Sequence, residues 1–197
     1  MGKILMLKDV RLSFPKLGEP EFFQGVKSRP DEKPRWSAAF HVDAKDPQKA
    51  QVDAALKEVA KEQWAAKADT YLANILGDPK ASCWIDGARK EQAGVWIISS
   101  HRPSDKGRPL VFDTDKSPIY QPSNDLYPGK AGRIYSGMYV NAQIEIWAQD
   151  NKSGKGLRCT LLGIQRVRDG QAFGGGAAPS ADAFAEIADG SDADDLI

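Results

Sequence analysis

The sequence lacks the usual features of membrane, secreted and disulfide-stabilised proteins. No apolar run is long enough to span a bilayer, and residues 1–8 return to charge too soon for a signal peptide. The only two cysteines, Cys83 and Cys159, lie far apart and outside any CxxC pair, so neither a disulfide framework nor a cysteine zinc site is indicated. We therefore expect a cytoplasmic protein with two buried or half-buried free thiols.

Common catalytic signatures are also missing, since there is no P-loop, no HExxH and no GxSxG. The enzyme class that stays open is a metal-dependent nuclease, whose magnesium site would use Asp113 and Asp115 with Asp86 or Glu145. However, Asp113 and Asp115 lie in a turn-rich stretch, where aspartate is expected for backbone reasons. This function is therefore the alternative, and no metal or other cofactor is expected.

The net charge of zero hides a division of charge along the chain. The sequence has 27 basic and 27 acidic residues, but residues 171–197 contain six acidic residues and no lysine or arginine. Residues 1–170 therefore hold 27 basic against 21 acidic residues, a net charge of +6. A cationic body with an anionic terminus indicates nucleic-acid binding and an acidic regulatory tail.

Most of the body has the sequence pattern of β-strands. Alternating or continuous apolar runs predict strands at 4–14, 35–42, 94–101, 137–148 and 156–167, with further short strands between 80 and 136. Pro15 is expected to end the first strand. His41 and His101 are interpreted as surface residues at strand ends.

One long amphipathic helix is predicted after the second strand. Asp46 and Pro47 form a helix-start signal, and Gly77 is expected to close the helix. Apolar residues recur every three or four positions and form one stripe, made of Val52, Leu56, Val59, Ala60, Trp64, Tyr71, Leu72 and Ile75. This helix is expected to pack over one face or opening of a sheet.

The composition changes abruptly after Gly170. A glycine-rich segment and then an acidic run follow, so residues 1–170 are predicted to form one folded domain and residues 171–197 a linker with a disordered acidic tail. The tail residues expected to bind a protein partner combine negative charge with apolar groups; they are Phe184, Asp192, Asp194, Asp195, Leu196 and Ile197.

Three segments of the body carry a resemblance to a known family: 11–15, 135–141 and 161–170. Together they resemble phage-encoded single-stranded DNA-binding proteins of OB-like fold, and the ending 194–197 is similar to the acidic, hydrophobic-tipped C-terminus of such proteins. The resemblance implies a mainly β barrel, OB-fold-like, with one long helix and a disordered tail. It also implies non-catalytic, sequence-independent binding of single-stranded DNA in phage DNA replication or recombination, in the host cytoplasm. The tail would contact replication or recombination proteins.

The candidate DNA-binding residues follow from the chemistry of single strands, which need cations for the phosphates and rings for the bases. The candidate cations are Arg35, Arg89, Lys90, Arg102, Lys106, Arg108 and Arg133, together with Lys27, Arg29, Lys33 and Lys130. The candidate rings lie opposite the aliphatic side of a strand or at its entrance; they are Trp96, Tyr135, Tyr139 and Trp147. The alternative is that these rings form a second packed layer beneath the helix. Trp36, Phe40 and Trp64 are assigned to the core.

The tethered acidic tail suggests a mechanism of regulation. A polyanion on a flexible linker has a high local concentration and would occupy the cationic surface until DNA displaces it. Two alternatives stay open: the tail serves only solubility, or the protein is an interaction module whose tail alone matters. The sequence does not fix the oligomeric state, and a homodimer is compatible with it.

Overall fold

The computed structural model describes residues 2–22, 25–76, 78–90 and 92–173. Of the predicted linker and tail, residues 171–173 are described, and residues 174–197, which include the acidic tail, lie outside the described residues. Within the described ranges, the chain forms seven strands and two helices, in the order β1 Lys3–Glu21, β2 Arg35–Asp43, α1 Pro47–Trp64, α2 Ala68–Leu76, β3 Trp84–Asp86, β4 Val95–Pro103, β5 Leu110–Phe112, β6 Tyr139–Asn151 and β7 Gly154–Arg168.

Five of these strands close into a barrel. Antiparallel pairing runs in the order β4, β2, β1, β6, β7, and a parallel contact between His101 of β4 and Thr160 of β7 joins the two ends. The short strands β3 and β5 extend the sheet beside β4 and β7. A five-stranded barrel closed in this order is the architecture of an OB fold, so the predicted fold class is confirmed.

The expected end of β1 at Pro15 is wrong, because the strand continues to Glu21. The register of β1 against β2 shifts between Ser13 and Lys16 and again before Glu21. Phe14 adopts a left-handed backbone with φ of 48°. Proline has no backbone donor for the strand pairing, and a bulge removes the need for that donor, so the strand can pass through this position.

The residues that the apolar periodicity of the sequence assigns to the core are buried, both in the barrel interior and on the helical segment. Trp36 and Phe40 are 5% and 0% exposed, and the predicted helix stripe is buried except for the half-buried Tyr71. The Asp46 carboxylate accepts a hydrogen bond from the Gln48 amide (2.8 Å), which confirms the helix start. A 3-10 turn at 65–67 joins α1 to α2, so one helical segment spans 47–76 and packs on β1, β6 and β7.

Both cysteines are buried free thiols, as predicted. Burial raises the pKa of the Cys83 thiol to about 12, so this group stays protonated at neutral pH. Among the described residues, no helix combines the length and the apolar character that crossing a membrane requires.

Candidate nucleic-acid interface

The outer faces of β2 and β4 form a floor of small and polar side chains. Along β2 the buried residues alternate with half-buried ones, so Ser37 and Ala39 point away from the barrel interior. In β4 the residues paired with them are His101 and Ser99, respectively. Small side chains at the centre of this face let an extended ligand approach the backbone closely.

Two adjoining cavities lie over this floor, with volumes of about 530 and 400 Å³. They share Arg35 and His101, so they form one continuous depression, which we name the β2–β4 groove. Its remaining walls come from β1, the β1–β2 loop, the α2–β3 loop, the turn after β3 and the β6–β7 hairpin. The wall residues used below are Phe14, Lys16, Glu21, Phe22, Arg29, Lys80, Lys90, Trp147 and Arg158.

The groove is strongly cationic. Six lysines and arginines line its described part, against the single carboxylate of Glu21, which pairs with Lys16 at 3.3 Å. The Arg158 guanidinium is held in place, since it donates to the Lys80 carbonyl (3.0 Å) and to Gln149 Oε1 (3.1 Å). Such fixed positive charge favours a polyanionic ligand.

Aromatic rings stand at both ends of the groove. Phe14 is 75% exposed, and its left-handed backbone is a strained conformation of the kind that clusters at functional sites. At the other end, Trp147 is half-buried and its indole Nε1 donates to Thr160 Oγ1 (3.0 Å), which fixes the orientation of the ring. The groove therefore offers flat apolar surfaces beside its cations.

The two histidines of this face are held neutral. Burial, together with the charges of Arg35 and Arg158, lowers the pKa of His101 to about 4. Burial also lowers the pKa of His41, with contributions from Arg11 and Lys90. The interpretation of His41 as a surface residue is wrong, because the packing of the C-terminal segment leaves it only 9% exposed.

Comparison with known proteins identifies the family. A family model described as "Enterobacter phage Enc34, ssDNA-binding protein" matches residues 3–197. The chain belongs to the Enc34 phage single-stranded DNA-binding protein family. The resemblance inferred from the sequence is therefore confirmed.

Individual relatives span nearly the whole chain. The "Putative protein p50" of Acyrthosiphon pisum secondary endosymbiont phage 1 is 34% identical over 185 residues, which cover 93% of each protein. The single-stranded DNA-binding protein of bacteriophage Enc34, solved in complex with ssDNA, is 22% identical with a TM-score of 0.66, over 87% of this chain and 89% of that one. The single-stranded DNA-binding protein gp2.5 of bacteriophage T7 is 15% identical with a TM-score of 0.57, over 89% and 91%. The two solved structures share the fold of this chain.

Four of the residues that the sequence selects meet in the groove of this Enc34-family protein. Arg29, Arg35 and Lys90 line its cationic walls, and Trp147 stands at one end. Arg89 is exposed beside Lys90 but does not line the groove. The assignment of the four groove residues to DNA binding stays a prediction.

The basic loop at 102–108 lies outside the groove lining, and its arginines bind neighbouring backbone. Arg102 donates to the carbonyls of Lys106 and Gly107, both at 2.7 Å. Arg108 donates to the Gly18 carbonyl (2.7 Å), and its guanidinium packs on the Tyr120 ring. Partial burial lowers the pKa of the Arg108 guanidinium. The hydrogen bond to Gly18 fixes this loop to β1. Lys106 is exposed.

Four other selected residues are also engaged elsewhere. Trp96 stacks on Trp84 with ring centroids 5.2 Å apart, the packed-layer arrangement that the sequence left open. Three further selected residues lie near the C-terminal end of the described chain. There Arg133 is 3.6 Å from Asp113, the Tyr135 hydroxyl donates to Asp169 (3.0 Å), and Tyr139 lies 3.4 Å below the Arg168 guanidinium.

The aspartates considered for magnesium are bound by other groups. Asp113 pairs with Lys130 at 2.7 Å, and this hydrogen bond holds the pKa of the Asp113 carboxyl below its usual range. Asp115 accepts from the Ser117 amide (2.9 Å) within a turn. Over residues 2–22, 25–76, 78–90 and 92–173, no three His, Cys, Asp or Glu side chains come together in a possible metal site.

Sequence reasoning missed several groove residues, above all Phe14, Lys16, Lys80 and Arg158. For Arg158 a signal was present. The predicted hairpin joins the strands 137–148 and 156–167, which indicates that Arg158 lies close to Trp147, and the structure pairs these two residues directly. Nothing in the sequence indicated that Phe14 is exposed, because its exposure depends on the bulge in β1.

Proposed function

We propose that this protein binds single-stranded DNA, without sequence preference, along the β2–β4 groove. The observation that carries the proposal is the coincidence of six cations, the exposed Phe14 ring and the half-buried Trp147 ring around the outer face of β2 and β4, in a member of a phage single-stranded DNA-binding family. The corresponding strands and flanking loops of OB folds bind oligonucleotides.

In this proposal each part of the groove has a distinct role. The phosphates follow the cations from Lys16 and Lys90 through Arg35 to Arg158, while bases stack on Phe14 and Trp147. Stacking on a ring accepts every base, so the groove reads no sequence.

The β6–β7 hairpin and the β1–β2 loop border one end of the groove together. Arg29 donates to Ser153 Oγ (3.5 Å), which brings the two loops into contact beside Trp147. DNA entering at this end would contact both loops. The exposed Arg29 guanidinium would then release Ser153 Oγ and bind a phosphate.

The experiment that tests the proposal is a titration of fluorescent oligo-dT at several salt concentrations. Arg35→Ala, Lys80→Ala and Lys90→Ala each remove one groove cation, and each should lower the slope of log affinity against log salt by roughly 0.7. The matched controls Arg89→Ala and Lys106→Ala remove cations outside the groove lining and should leave the slope unchanged. Equal losses in both sets would contradict a groove-specific interface.

We further propose that the protein acts on single-stranded DNA during phage DNA replication or recombination in the host cytoplasm, without catalysing a reaction. The acidic tail would compete with DNA for the groove, and its ending, residues 192–197, would contact replication or recombination proteins. The division of charge supports this proposal, since the tail has a net charge of −6 and the body a net charge of +6.

A further inference from the structure

The outer face of β2 continues beyond the groove to His41. This residue lies two positions after Ala39 on the same side of the strand, about 7 Å further along. Lys90, which lines the groove, is one of the charges that lower the pKa of His41, so the imidazole lies within its electrostatic reach. His41 therefore extends the row of groove residues by one position.

The ring of Phe173 covers this extension. The Phe173 and His41 rings stack with centroids 5.0 Å apart and an interplanar angle of 29°. The Arg11 guanidinium lies 4.2 Å from the Phe173 ring centroid. Contact of a ring with both an aromatic plane and a guanidinium is a recurring way in which proteins hold unstacked nucleobases.

Among the residues that the structure describes, few hydrogen bonds hold Phe173 in this position. Its backbone amide donates to the Ser136 carbonyl (3.0 Å), and Arg11 Nη2 donates to the carbonyl of Gln171 (2.5 Å). Phe173 is half-buried and belongs to no strand or helix. Its ring can therefore leave His41 without any break in the barrel pairing.

We infer that His41 and Arg11 form an additional nucleobase-binding subsite at the end of the groove, which Phe173 fills when DNA is absent. The inference rests on the proposed DNA binding in the groove. A base entering the subsite stacks on the neutral imidazole. The base also contacts the Arg11 guanidinium, which gives up its hydrogen bond to Gln171. Arg11 therefore contacts Phe173 when DNA is absent and the base when DNA is bound.

The test is a mutant cycle in the full-length protein, read out by oligo-dT affinity. Phe173→Ala opens the subsite and should tighten binding by about five- to tenfold, within the range of one base–ring stack. His41→Leu keeps the volume but removes the stacking ring, so the double variant should lose that gain. The matched control Gln171→Ala keeps its backbone carbonyl and should bind as the unmodified protein does. Thermal unfolding of each variant verifies folding.

A second readout covers the case in which His41→Leu fails to fold. Oligonucleotides carrying 5-bromodeoxyuridine should crosslink to the peptide that contains His41 more strongly in Phe173→Ala than in the unmodified protein. Absence of this increase would overturn the subsite.

Two other outcomes would also overturn it. In one, Phe173→Ala leaves oligo-dT affinity unchanged or weakens it, while Arg35→Ala still weakens binding. In the other, the gain persists in the double variant, which would point to altered competition by the tail. If Arg35→Ala, Lys80→Ala and Lys90→Ala all leave binding unchanged, the proposed groove fails instead, so the two failures are distinguishable.

Discussion

At the scale of single residues, Trp147 and Trp96 offer a matched pair of tryptophans. Trp147 lines the groove, whereas Trp96 stacks on Trp84 and lies below the Lys49 ammonium, with 4.6 Å to the ring centroid. We expect Trp147→Ala to weaken oligo-dT binding about tenfold, because one base loses its stacking partner. Trp96→Phe should leave the affinity unchanged. Measurement of affinity and of tryptophan quenching by DNA in both variants checks the prediction; quenching that survives in Trp147→Ala and disappears in Trp96→Phe would reverse the assignment.

His101 should make the protein sensitive to mild acid. Its pKa is about 4 in the folded state, below the value of 6.5 for a free histidine, so protonation favours the unfolded chain. This contribution to stability is complete above pH 6.5 and is lost as the pH falls toward 4, by about 3 kcal/mol in the limit. His101→Asn removes the titrating group and should flatten the dependence over this range. Chemical denaturation at several pH values measures the difference, and parallel curves for the two proteins would contradict the prediction.

Residue-level prediction succeeded where a side chain's role follows from strand alternation and failed where it depends on a distant partner. Trp36 and Phe40 were assigned correctly to the core from their alternation along one strand. By contrast, Arg108 looks like a free cation in the sequence, but its partners Leu17 and Gly18 lie about 90 positions away. A charge pattern in one segment contains no information on such a long-range hydrogen bond.

At the scale of elements, the start of α1 connects the helix to the barrel. The Asp46 carboxylate caps the helix, and it also accepts from the Gln48 side-chain amide (3.0 Å), which itself donates to the Lys8 carbonyl (2.9 Å) in β1. Asp46→Ala should therefore lower the free energy of unfolding by about 1 to 2 kcal/mol. Oligo-dT affinity should not change, because this cap does not line the groove. Lys45→Ala is the control for stability, and an equal loss in both variants would contradict a capping role.

The boundaries of the elements were predictable where turn chemistry is local. The helix start, the second strand and the two long C-terminal strands follow from nearby residues, and each lies close to its predicted position. The length of β1 was not predictable, since Pro15 normally ends a strand and the bulge that accommodates it depends on pairing with β2. The exposed Phe14, and with it one wall of the groove, was missed for the same reason.

At the scale of the whole molecule, the barrel closes through the parallel pairing of His101 in β4 with Thr160 in β7. Nothing in either segment specifies this pairing, which joins residues about 60 positions apart. The OB-like barrel was therefore predictable through the family resemblance and not through the strand pattern alone. The groove follows from closure, because Arg35, His101, Trp147 and Arg158 come together only when β2, β4, β6 and β7 share one barrel.

The division of charge between body and tail leads to a prediction for the entire chain. Deletion of residues 180–197 removes the six negative charges of the tail, which are tethered to a body of net charge +6. If this polyanion competes with DNA, the deletion should tighten oligo-dT binding severalfold at low salt and much less at high salt, where both interactions are screened. A full-length variant with the six acidic residues replaced by Asn or Gln separates charge from length and should bind as the deletion does. Unchanged affinity at low salt would leave the tail without a role in DNA binding, because a tail that serves only solubility does not compete for the groove.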